Sequence, residues 1–208
     1  MIRVHHLNNS RSQRVLWLLE ETGTPYEIVR YERDKKTMRA PKELSRVHPL
    51  GKSPIIEDDD RKLAETGLII DYLVERYGAD LAPPRHCDLF WRYKYWLHYA
   101  EGSLMPQLFL KLVVDRLGLL AVPARRFVQS QLTLHLDFLE SELGNTPWFL
   151  GDRFSAADIM LSFPLEVSTD RARLDATRPR LIDFLKRIHA RSAYRRALEK
   201  GGAYRYSQ

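Results

Sequence analysis

The feature that most constrains this chain is a change of period. Over the first 78 residues the apolar pattern switches repeatedly between a period of two and one of 3.6, and beyond them it is helical throughout. IRVHHL, residues 2–7, reads as a strand. Residues 12–23 read as a helix, with Val15, Leu16, Leu18 and Leu19 on the apolar side and Gly23 as its stop. YEIVRY, 26–31, alternates as a second strand. A polar loop follows from Glu32 to Arg39, and Pro41 suits the first position of a short helix. Ile55-Ile56 and Lys62-Leu63-Ala64 flank an acidic turn as a hairpin, and a helix resumes from Thr66. That order predicts a small α/β layer with a hairpin at one edge.

GADLAPPRH, 78–86, interrupts both periods with a glycine and two prolines and is the natural linker. The expected domains are therefore 1–78, a linker at 79–87 and an all-helical 88–208. In the last, helices are expected over 88–117 with a bend near Pro106, over 123–143, and from Ser155, Pro179 and Ser192.

Charge and cysteine content narrow the function classes. The net charge of +6, from 33 basic and 27 acidic residues, is mild. Arginines recur in the C-terminal third, but no nucleic-acid motif accompanies them, and Glu57-Asp58-Asp59-Asp60 breaks the basic field. A nucleic-acid partner is not expected; the charge reads as ordinary solvated surface, which can still attract small anionic substrates. No window approaches ~18 uncharged apolar residues, so no membrane span is expected. The N-terminus lacks a signal-peptide layout. The single cysteine, Cys87, allows neither an internal disulfide nor a thiolate cluster, and a reducing, cytoplasmic setting fits. The seven histidines show no ligand pair at helical spacing, so no metal is expected.

The first strand hands over to the first helix through Asn8, Asn9, Ser10, Arg11 and Ser12. A helix leaves the N–H groups of its first turn unpaired, and its dipole adds partial positive charge there. Ser10 or Ser12 suits a simple N-cap. The same position also suits a hydroxyl that donates to a bound anion. No GxSxG motif is present, so a nucleophilic serine is not expected.

Three further pieces are individually ordinary. Ser53-Pro54 opens an internal strand, where proline belongs at the start. Glu65-Thr66-Gly67 joins a strand to a helix; Thr66 suits an N-cap, or a hydroxyl beside free N–H groups that bind a carboxylate. Arg39 and Lys52 suit solvated surface, or together a second carboxylate site.

Their order along the chain resembles a known family. The S-x-x-x-R arrangement of Ser10 and Arg14, HPLGKSP at 48–54 and AETG at 64–67 resemble the N-terminal domain of glutathione S-transferases. WFLGDRFSAADIML, 148–161, resembles that family's capping-box segment, with Ser155 and Asp158 in purely structural roles. The resemblance covers essentially the whole chain. It implies a thioredoxin-like α/β domain followed by an all-α domain, and a detoxifying transferase with glutathione as co-substrate. By the same resemblance Ser10 stabilises the glutathione thiolate, with Asn9 and Ser12 as helpers or rivals. Ser53, before Pro54, pairs its main chain with the cysteinyl residue. Glu65 and Thr66 hold the γ-glutamyl end, and Arg39 and Lys52 the glycyl carboxylate. Leu7, Asn8, Tyr99, Ser103 and Met105 are expected to line the pocket for a hydrophobic electrophile. A homodimer is implied as well. Two alternatives stay open: glutathione-dependent peroxide reduction, and a non-catalytic protein-interaction module on the same fold.

Overall fold

A computed structural model describes residues 1–207, the side chain of Leu119 excepted; Gln208, the last residue of the expected helical domain, lies outside them. The chain forms two compact units. One comprises residues from Met1 to Asp80 together with those from His189 onward; the other is Leu81–Ile188. The break falls inside the expected linker. The C-terminal stretch differs from expectation: it belongs with the first unit and not with the helices that precede it.

In the first unit, β1 (Ile2–Leu7), α1 (Ser12–Thr22) and β2 (Tyr26–Tyr31) make a parallel crossover. The short α2 (Leu44–Val47) precedes the hairpin of β3 (Ile55–Asp58) and β4 (Arg61–Ala64), and α3 (Thr66–Tyr77) completes the layer. The strand order is β2-β1-β3-β4, with β3 antiparallel to both its neighbours. The helix α1 is buried along its whole run from Ser12 to Glu20, which an amphipathic surface helix would not be. The cause is α9 (Ser192–Gly201), which packs along α1, while α3 and β1 cover other sides. Trp17 of α1 meets Tyr194 of α9 edge to face at 5.2 Å.

The second unit carries α4 (Leu89–Tyr99), α5 (Met105–Arg116), α6 (Val122–Leu143), α7 (Ala156–Arg171) and most of α8 (Pro179–Ala190). The expected bend near Pro106 takes the form of a π-helical turn at Ala100–Leu104 between α4 and α5. Proline lacks the N–H that the Gly102 carbonyl would receive, and the wider turn absorbs the mismatch. The central α7 is buried from Ala156 to Ser168. Its capping box is complete: Asp158 accepts from Ser155 N–H at 2.8 Å, and Ser155 Oγ accepts from the first turn. No helix of the described residues is long and apolar enough to cross a membrane.

Candidate active site

The sheet register assembles the site. His5 pairs with Ile55, and Ile55 with Ala64. The end of β1, the start of β3 and the end of β4 therefore share one end of the sheet, and Leu7, Ser53 and Thr66 lie at or next to those strand ends. The loop from Leu7 into α1 and the amino end of α3 therefore lie at the same end as the Ser53-Pro54 bond, which is cis. Strand pairing thus brings segments far apart in sequence to one end of the sheet.

Several polar groups at that end of the sheet are unpaired. The Ser53 hydroxyl donates to the His5 carbonyl at 2.7 Å, but its main-chain N–H and C=O pair with no other described residue. Thr66 is buried and its hydroxyl has no partner among the described residues. It is not the N-cap of α3: Glu65 holds that position at φ 73°, an uncommon conformation for a side chain with a Cβ. The side chains of Arg39, Lys52 and Glu65 are exposed and likewise form no hydrogen bond or ion pair with any described residue.

The loop after β1 is held from three directions. Arg33, on which the sequence reading placed no role, donates from Nε to the Asn8 carbonyl at 3.2 Å and from Nη2 to the Asn9 carbonyl at 3.4 Å. It also reaches the Met38 carbonyl at 3.0 Å, tying the segment that carries Arg39 to this loop. Asn9 Oδ1 accepts the Arg205 main-chain N–H at 2.8 Å. Beneath the loop runs a buried chain of small polar groups. Ser10 Oγ lies 2.8 Å from Ser12 Oγ, and Ser12 Oγ lies 2.9 Å from His6 Nδ1. Ser12 Oγ also accepts Leu7 N–H at 3.2 Å, and Ser10 Oγ accepts Ser12 N–H at 3.2 Å. The N-cap position of α1 falls to Arg11, not to Ser10 or Ser12 as expected; Ser10 accepts the first N–H of the helix from one position further out, and Ser12 folds back on the strand. Burial, against a hydrogen bond to the Gly201 backbone that favours the cation, pulls His6 down to about 4. It is neutral at pH 7.

The residues expected to meet an electrophile divide. Leu7 is core, packed with Leu44 and Ile55. Tyr99 and Met105 are core residues of the helical unit. The Tyr99 hydroxyl bonds His135 Nδ1 at 2.6 Å, and its ring stacks on Tyr95. Asn8 and Ser103 keep partial exposure. Asn8 spends its side-chain oxygen on the Arg33 N–H at 2.9 Å. No group of three or more potential metal ligands occurs among the described residues.

Comparison with known proteins bears on the whole chain. The model of the glutathione S-transferase N-terminal domain matches residues 1–75, and that of the C-terminal domain residues 114–187. Glutathione S-transferase 3 of Schizosaccharomyces pombe is 37% identical over 181 residues, covering 79% of this chain and 73% of that protein. The chain belongs to the glutathione S-transferase family. Glutathione S-transferase 1 of Saccharomyces cerevisiae is 32% identical over 226 residues, 98% of this chain and 96% of that one. A crystal structure of a glutathione S-transferase from Actinobacillus pleuropneumoniae superposes on this family member with a TM-score of 0.91. It is 35% identical and covers 100% of this chain and 96% of its own.

Proposed function

We propose that this chain is a glutathione transferase that activates the glutathione thiol for attack on hydrophobic electrophiles. The observation that carries the reading is that the strand ends next to Leu7, Ser53 and Thr66 share one end of the sheet, with unpaired polar groups there, in a chain of this family. The Ser53 main chain pairs with the cysteinyl residue of the tripeptide. Thr66 and the first N–H groups of α3 receive the γ-glutamyl carboxylate, and Glu65 its ammonium. Arg39 and Lys52 receive the glycyl carboxylate. The sulfur lies at the amino end of α1, against the Asn8–Ser12 loop.

The magnitudes suffice. Lowering a thiol by ~2 units from about 8.5 takes about 2.7 kcal/mol. One hydrogen bond to the anion contributes roughly 1.5–3 kcal/mol, and a helix amino end about 0.3–1 kcal/mol. The thiol proton goes to solvent. The thiolate then forms an S–C bond as the leaving group departs with its electron pair. Peroxide reduction would draw on the same thiolate. A homodimer is part of this reading, and light scattering at micromolar chain should return twice the chain mass.

The test is retention on immobilised glutathione, followed by turnover of chlorodinitrobenzene and of an organic hydroperoxide. Saturable turnover of the halide is expected. Binding without turnover of either compound would make the chain a non-catalytic module instead.

A further inference from the structure

The bonds beneath the loop bear on which side chain faces the sulfur. Ser12 Oγ lies 2.9 Å from His6 Nδ1 and 3.3 Å from the Leu7 carbonyl oxygen, and 2.8 Å from Ser10 Oγ. Ser10 is buried, and its oxygen accepts Ser12 N–H at 3.2 Å, so its hydroxyl belongs to this inward network. Turning it outward to an anion would break contacts among buried polar groups.

Asn9 is arranged the other way. The Arg205 main-chain N–H at 2.8 Å can only donate, so the face of the amide toward it is the oxygen. The NH₂ group is thereby turned to the opposite side. It makes no hydrogen bond with any described residue. Asn9 sits at φ 50°, a conformation asparagine tolerates better than most residues, and Arg33 holds its carbonyl. This is a pre-set donor at the amino end of α1, fixed by a main-chain contact from near the C-terminus.

We infer that the Asn9 side-chain NH₂, oriented by the Arg205 main chain, donates the hydrogen bond that stabilises the glutathione thiolate, with Ser10 supporting the loop from behind. The inference rests on the glutathione reading above. Asn9 is the catalytic residue in it, and the segment around Arg205 is a positioning element.

The thiolate absorbance near 240 nm of the glutathione complex, titrated against pH, tests this assignment. Asn9→Asp keeps the oxygen that Arg205 needs and tolerates the backbone conformation, but has no N–H to give. It should raise the bound thiol pKa by about 1–2 units and lower kcat/KM at slightly acid pH by about 10- to 100-fold. Asn9→Gly, which keeps the backbone freedom, should do the same without adding charge. A chain ending at Gly202 should raise the pKa in the same direction by less, and add little in the Asn9→Gly background. Ser10→Ala should shift the pKa less than either Asn9 variant. A larger shift from Ser10→Ala than from both Asn9 variants overturns the assignment to Asn9 and leaves the transferase reading standing. A wild-type chain that binds no glutathione at millimolar concentration overturns both.

Discussion

Arg196 Nε lies 2.9 Å from Glu20 Oε2, joining the last helix of the chain to the first across 176 positions of sequence. Lys200 reaches the other oxygen of the same carboxylate, and the Tyr26 hydroxyl donates to it at 2.8 Å. Glu21 pairs with Arg191 in the same way, at 2.9 Å. Five charged groups of α1 and the α9 segment thus close over the helix whose amino end bears the site, in addition to the apolar contact of Trp17 with Tyr194.

Glu20→Gln should loosen this closure. Glu20 is buried, whereas Arg196 and Lys200 are about half exposed and keep access to water. The cost is therefore set below that of breaking a fully buried pair, at roughly 1–3 kcal/mol. Burial pushes the Glu20 pKa up, but the bonds from Lys200, Tyr26 and Arg196 outweigh it, so the folded value lies below the ordinary one. This contribution is present above the unfolded pKa and is lost as pH falls through the folded one. Urea midpoints should show a wild-type advantage over Glu20→Gln at pH 7 that shrinks in strong acid.

His6 predicts a separate acid sensitivity. Its folded pKa of about 4 lies below the unfolded value near 6.5. The unfolded chain binds the extra proton between these values, so stability falls as pH drops from 6.5 toward 4, by at most about 3 kcal/mol. Arg30 nearby acts in the same direction as burial. His6→Gln should flatten this part of the pH–stability curve. A curve of unchanged steepness between pH 4.5 and 6.5 would show that the ring is not held neutral.

The capping box of α7 should dominate the stability of the helical unit. Ser155→Ala removes one cap and should cost about 1 kcal/mol, within ~0.5–2. Asp158 accepts from Phe149 N–H at 3.0 Å, Ser155 N–H at 2.8 Å and Ser155 Oγ at 3.1 Å, all buried. Asp158→Ala strands all three donors and should cost about 3 kcal/mol or more. The double variant should cost less than the sum, because the two residues share one network. Thermal unfolding of the four chains measures this.

Gly201→Ala tests the seat of α9. An added Cβ would lie 2.9 Å from Gln13 Oε1, 3.0 Å from Leu16 Cδ1 and 3.5 Å from His6 Cε1. Gln13 and Leu16 are themselves buried, so the cost should be about 1–3 kcal/mol. A neutral result in chemical denaturation would mean that α9 moves freely on α1.

Local elements were readable because they rest on local physics. The run Ile2–Leu7, the stop at Gly23 and the cap at Ser155 each depend on neighbours within a turn or a strand. The positions along the sheet end were reached through resemblance to a family; composition alone leaves Glu65-Thr66 and Ser53-Pro54 ordinary. Arg33 left no signal, because its bonds to Asn8 and Asn9 exist only once two loops meet. The helix at 192–201 was legible as a helix, yet its partner was not. An arginine-rich amphipathic segment fits any acidic helix, and only the fold sets it on Glu20 and Glu21.

From the sequence alone came the two-part order of elements, the cap of α7 at Ser155 and, through resemblance, the family. How the polar groups at the amino end of α1 pair was decided by the tertiary structure. The partners of Ser12 and Asn9 are His6 and the Arg205 main chain, and a hydrogen bond forms with whatever group folding brings within reach, wherever it lies along the chain.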